Sequence, residues 1–414
     1  MMTSQAALNV SDTSHTDNGA STTMATPLVA QDAKQIDSFI NIKPITASST
    51  LLKSAAVTDM SLVKPEPTVG IRVRVETGRA GAGNAQRLQN LSWLPSPLLN
   101  SAPYANSRVT KTSERSIDGT GNNPLWFWMG AVDTPLRRDA DALYDDSISS
   151  PIAGRPNPRH VSNAVFAQET SHDDPRGLSN YVWLWGQFID HDIGLTPEGA
   201  EEANHISVPK GDPQFDPQGT GSQTIVAQRS VYEPSSGTSP INPRNQRNVI
   251  TTWLDGSGIY GSDENRARWL RSGEGGRLRT TEGDYPPFND GTQPNAEPIP
   301  GRAYFVAGDV RANENIALTS LHTLFLREHN RLADEIAAAN SELSDEQIYQ
   351  RARRIVGAQM QAITYYEFLP ALLGEGLEPY TGYQPQVDAT ISNGVFYGAL
   401  SFGFAIRCRG KLDV

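Results

Sequence analysis

WLWGQFIDHDIGLTP, residues 183–197, sets Gln187, Asp190, His191 and Asp192 into an apolar run that includes Trp183, Leu184, Trp185 and Phe188. Tyr181, Leu184, Trp185 and Phe188 recur at three- and four-residue spacing, which predicts a helix over about Leu178–Ile193. Each helical residue turns the side chain by about 100°, so Gln187 and His191 share a face. Asp190 stands beside Gln187 on the three-residue spacing, while Asp192 points elsewhere. One helix end can therefore serve two sites. A neutral imidazole near pH 7 can take up a proton and return it, and an adjacent amide can hold a small polar ligand in place. Taken alone, a DHD triplet is more often a polar helix end in solvent.

Two further helices carry the same signal. Leu321, Leu324, Phe325, Leu332 and Ile336 predict one over about Ala317–Asn340, and Ile348, Ile355, Val356, Met360 and Ile363 another, opened by a capping-box pattern at Ser344 and Gln347. Few stretches read as strands, so the folded part is expected to be mainly α, with long irregular loops rich in Gly, Pro and Asn between the helices. Residues 1–110 are rich in Ser, Thr, Ala, Asn and Gly and read as a mostly disordered or loosely ordered leader, with a short strand at Ile71–Val75. Globular texture starts near Ser113, and the segment 149–163 reads as turn-rich.

TTWLDGSGIYGS, residues 251–262, presents Thr251, Asp255 and Ser257 at alternate positions, with the Trp253 carbonyl between them. Hard oxygen donors of this kind suit calcium, and Asp192 could add a second carboxylate. By itself the segment reads more simply as a Gly-rich turn. In AGDVRANEN, residues 307–315, Arg311 and Glu314 lie three apart at what reads as a helix start and are expected to face one cavity. An arginine there would stay charged at any working pH and stabilise negative charge on a departing oxygen. His322 and His329, seven apart, are read as packing histidines, since no third metal ligand accompanies them.

The chain has 414 residues, enough for one large domain or two average ones, a net charge of −11 and a single cysteine, Cys408. That balance lacks the basic footprint of a nucleic-acid binder, and one cysteine excludes intrachain disulfides and thiolate metal cages. No apolar run reaches membrane-spanning length, and the N-terminus lacks a secretory pattern. A soluble protein is expected, compatible with secretion by another signal.

Taken in order, SIDGTGNNP, RPNPRHVSN, WGQFIDHDIGLTP, LDGSGIYGS, AGDVRANEN, LFLREHNRLADEI and RARRIVGAQMQAITYYEFLP resemble the animal-type haem peroxidases of the peroxidase–cyclooxygenase superfamily, which includes myeloperoxidase and peroxidasin. The likeness runs from about Ser116 to Asn393, and the absence of the family's disulfide cysteines suggests a bacterial-type member. The resemblance implies a haem peroxidase domain over residues 111–393 that reduces hydrogen peroxide and oxidises a small donor such as a halide or phenol, in the setting of oxidative stress. It implies that His191 is the distal base, that Gln187 orients peroxide and that Arg311 assists O–O cleavage. Asp190 and Glu314 match carboxylates that can form ester links to haem. Asn315 replaces a methionine that forms a third link in myeloperoxidase. Asp192, Thr251, Trp253 through its carbonyl, Asp255 and Ser257 match a calcium site.

After Asn393 the pattern breaks. The family motif should end in a histidine that ligates iron, yet its position falls on Phe404 and no histidine follows His329. With suitable codons, shifting residues 394–401 by one base yields E-F-S-T-A-L-F-R, the expected text, so 394–414 is read as a frameshifted tail on an incomplete domain. Sequencing the locus tests this: the reading fails without a nearby alternative frame. The competing functional expectations are a fatty-acid oxygenase of the same superfamily and a non-catalytic remnant or binding module. The oxidised donor and the oligomeric state are not legible in the sequence.

Overall fold

The computed structural model describes residues 35–37, 114–170, 174–296, 303–374, 377 and 380–394. Two units are distinguished, residues 1–42 with 114–414 and residues 43–113, and the second lies wholly outside the described residues. So do the strand expected at Ile71–Val75, Phe404, Cys408 and the tail beyond Gly394. Within the stretch expected to be loosely ordered, residues 35–37 are helical. Ile36 is fully buried, and Asp37 accepts hydrogen bonds from the Tyr285 hydroxyl at 2.7 Å and Arg327 at 3.1 Å.

Seven α-helices carry the described fold: α1 Pro158–Phe166, α2 Tyr181–Ile193, α3 Ser257–Tyr260, α4 Glu264–Leu270, α5 Ile316–Ala339, α6 Asp345–Ile363 and α7 Leu369–Leu373. The strands are short and pair antiparallel in three two-stranded sheets. Among the described residues β1, Thr134–Pro135, pairs with β6, Arg247–Asn248, with Thr134 opposite Asn248; β2, Glu198–Ala203, pairs with β5, Gln228–Ser230; and β3, Ile206–Ser207, pairs with β4, Thr224–Ile225. The mainly α expectation holds.

The three helices expected from periodicity all form. α5 starts where the Asn315 side chain accepts the Leu318 N–H, and α6 starts at the capping box of Ser344 and Gln347, with Asp345 and Glu346 in its first turn facing the positive helix end. α5 and α6 pack on each other, and α2 and α3 pack on α5. Leu318, Phe325 and Ala333 of α5, Ala352, Val356 and Met360 of α6, and Trp185 and Phe188 of α2 join one buried cluster. α6 runs on into a π-helical segment, Thr364–Phe368, whose Thr364 hydroxyl accepts the Trp185 indole N–H at 3.2 Å and donates to the Met360 carbonyl at 2.7 Å. This widened turn seats α2 against the end of α6.

Two local readings change. The segment read as turn-rich contains α1, opened by Asn157, which accepts the His160 N–H, and by Pro158 in the first turn, where its missing N–H costs nothing. Arg311 and Glu314, expected at a helix start, instead occupy a turn before α5, closed by a Glu314 N–H to Arg311 carbonyl bond of 3.0 Å. Asn315 takes the cap because its short side chain bonds the backbone outside helical geometry.

Candidate functional site

α2 is buried along most of its length, and Gln187, Asp190, His191 and Asp192 are all withdrawn from solvent. The solvent-capped helix end is therefore not what forms. Asn248, delivered by the β1–β6 pair, closes α2 instead. Its amide donates to the Ile193 carbonyl at 3.0 Å and its carbonyl oxygen accepts the Leu195 N–H at 2.8 Å.

Gln187 and His191 share a face, as the spacing requires. The Gln187 amide donates to Glu314 Oε2 at 2.8 Å and its oxygen accepts from Asn315 at 3.0 Å, while His191 Nε2 lies 3.7 Å from that same Glu314 oxygen. Arg311 donates through Nη2 to the Gly194 carbonyl at 3.0 Å, at the end of α2. Residues about 120 positions apart thus meet in one buried cluster. Burial, reinforced by the positive charge of Arg311, holds the His191 pKa well below its ordinary value, so the imidazole is neutral. Asp190 is different: neither carboxylate oxygen has a hydrogen-bond partner, and burial pushes its pKa up to about 7 against the pull of Arg311.

Asp309 belongs to the cluster and is absent from the sequence-based set. Its carboxylate grips Arg311 in a fork, Oδ1 accepting from Nε at 2.9 Å and Oδ2 from Nη2 at 2.8 Å, and Oδ1 stands 3.7 Å from His191 Nδ1. Burial opposes ionisation of Asp309, but Arg311 outweighs it and holds the carboxyl below the usual carboxylate range. A buried acid two residues from a buried arginine was the available signal.

On the other side of α2, Asp192 faces the loop into α3. Its Oδ2 accepts the N–H groups of Asp255 and Gly256 at 3.1 Å each, and Oδ1 accepts that of Gly258 at 2.8 Å. The Ser257 hydroxyl donates to the Asp192 carbonyl at 2.7 Å, and the Thr251 hydroxyl lies 3.4 Å from the Trp253 carbonyl oxygen and 3.3 Å from both carboxylate oxygens of Asp255. The five residues expected for calcium therefore converge. Burial raises the pKa of both aspartates, and the charge of Asp255 adds to the shift of Asp192. Two buried acids opposed in this way, surrounded by neutral oxygens, fit a divalent hard cation. Among the described residues no group of three or more His, Cys, Asp or Glu side chains could hold a metal. A cation here would rest on two carboxylates and neutral oxygens.

His322 and His329 are buried in α5, and burial lowers both pKa values to about 4. His329 bonds the Tyr260 hydroxyl and the Gly276 carbonyl at 2.9 Å each, and His322 stands edge-on to Phe188. No helix among the described residues is long and apolar enough to cross a membrane.

A family profile described as animal haem peroxidase matches residues 114–407. Dual oxidase 1 of Caenorhabditis elegans is 34% identical over 321 residues, covering 74% of this chain and 21% of that protein. Lactoperoxidase of Mesocricetus auratus is 34% identical over 379 residues, covering 78% and 51%. Among solved structures, peroxidase A of Dictyostelium discoideum is 33% identical with a TM-score of 0.65, covering 70% of this chain and 59% of that one. A fatty acid alpha-dioxygenase of Oryza sativa is 24% identical with a TM-score of 0.51, covering 64% and 40%, a likeness of fold alone. The chain spans about a fifth to a half of the length of these two curated relatives.

Proposed function

Because the chain belongs to the animal haem peroxidase family, we propose that it carries the peroxide-binding side of a haem- and calcium-dependent peroxidase that reduces hydrogen peroxide and oxidises a small donor. One observation carries this reading: buried, neutral His191, buried Gln187 and Arg311, and half-buried Glu314 converge at the end of α2. Uncharged His191 takes a proton from one peroxide oxygen and returns it to the other, the Gln187 amide orients the ligand, and Arg311 offsets negative charge growing on the departing oxygen. Nε and Nη2 of Arg311 are engaged by Asp309 and the end of α2, which leaves Nη1 as the edge for a ligand.

Asp190 fits a haem-holding role because its carboxylate is buried without a hydrogen-bond partner, and Glu314 adds a second carboxylate to the same cluster. Haem iron, when bound, supplies the redox chemistry of O–O cleavage. The calcium loop holds the other face of α2 and fixes the helix end that carries His191 and Gln187.

The test is a haem titration of the purified chain, followed by its absorption spectrum and by addition of peroxide. A stoichiometric Soret band with peroxide turnover that His191→Ala reduces by about 100-fold or more is expected, the scale of general acid–base catalysis. A free-haem-like spectrum would favour a non-catalytic binding module, and turnover unchanged in His191→Ala would remove the histidine from its role.

A further inference from the structure

Asp309 sits at the junction of the two sites on α2. Its backbone N–H donates to the Gly258 carbonyl at 3.0 Å, one residue from Ser257. Its neighbour Gly308 lies so close to α3 that a Cβ there would stand 2.2 Å from the Ser257 carbonyl oxygen and 2.5 Å from the Gly261 nitrogen. Segment 308–309 is thereby locked against the loop that carries Asp255 and Ser257. The Asp309 carboxylate then takes three bonds from Arg311, from its backbone N–H at 2.8 Å, Nε at 2.9 Å and Nη2 at 2.8 Å. A planar guanidinium held in a bidentate fork has its direction set by the carboxylate.

We propose that Asp309 is a positioning residue that orients Arg311 and makes that orientation depend on the cation loop, through the Gly258 carbonyl, the Asp309 backbone and the Asp309 carboxylate in series. The inference rests on the assignment of Arg311 and of the calcium loop above, and it adds a route between them separate from α2. The alternative anchor for Arg311 is weaker. The carbonyls of Gly194 and His191, at 3.0 and 3.5 Å, hold only Nη2 and leave rotation about that contact free.

The experiment uses the full chain without haem or peroxide, so its outcome is independent of whether the chain turns over peroxide. Hydrogen exchange at the Arg311 Nε–H is followed by NMR with calcium and after chelation, in the wild type and in Asp309→Asn. The backbone amide of Val356, fully buried in α6, serves as an internal control for folding. The wild type is expected to exchange at least 10-fold faster after chelation while the control is unchanged. Asp309→Asn is expected to exchange fast in both conditions while still binding calcium. Slow exchange retained in Asp309→Asn would assign Arg311 to the α2 carbonyls and overturn the positioning role. Wild-type exchange that ignores calcium, or a loop that takes up none, would overturn the coupling. The wild-type comparison needs no variant, so it decides the coupling even if Asp309→Asn fails to fold.

Discussion

Asp190 and Asp192 lie two positions apart on α2, both buried, and the fold treats them in opposite ways. Asp192 accepts three backbone N–H groups from the loop into α3, whereas the Asp190 carboxylate accepts none. A buried carboxylate without partners is costly to ionise, so it persists only where something outside the protein's own hydrogen bonding satisfies it. Under the function proposed above, Asp192 would help to hold the cation and Asp190 would meet the haem edge. One helix end thus gives two aspartates different neighbours by rotating positions two apart to different sides of α2.

Removing the charge of Asp190 breaks this contrast most strongly. Its folded pKa of about 7 lies above the ordinary 3.8, so the favourable effect of its neutral form is complete below pH 3.8 and is lost as pH rises through 7. Asp190→Asn escapes that loss. It is expected to stabilise the haem-free chain by up to about 4 kcal/mol at pH 8, with the gain fading towards pH 4. Urea unfolding across that range measures it, and a pH-independent difference would mean that Asp190 is satisfied in solution.

Asp255→Ala sharpens the other half of the comparison. Calcium at 100 times its dissociation constant should stabilise the wild type by about 2.7 kcal/mol. In the variant this gain should vanish along with bound calcium, as read by metal analysis and thermal unfolding. An undiminished calcium response would move the ion elsewhere. Asn248→Ala is the smallest change. Loss of its bonds to Ile193 and Leu195 should cost about 2 kcal/mol, about 1 kcal/mol for each bond. A larger loss of calcium affinity than of stability would show that the helix end, rather than the loop, limits the ion site.

Much of this was legible from the chain. The three- and four-residue spacing located α2, α5 and α6, and the same spacing put Gln187 and His191 on one face with Asp192 rotated away. The resemblance named ten candidate residues, which the structure gathers in two groups, and left out Asp309. α1 was missed because its Pro and Asn resemble turn chemistry, although the same residues open helices. Arg311 and Glu314 were placed on a helix because three-residue spacing also occurs in a tight turn.

What the sequence determined by itself is the placement of the long helices α2, α5 and α6, because period and capping depend on neighbours within about four residues. Only the tertiary structure decided that Asp309 would fork Arg311, that Asn248 would close α2, and that Asp190 would stand without a partner. The physical reason is distance along the chain. Gln187 meets Glu314 across 127 positions and Asp192 meets Gly258 across 66. No local preference specifies such pairings, which arise when α2 is packed between α5 and the loop into α3 and its polar groups must find partners there or go without.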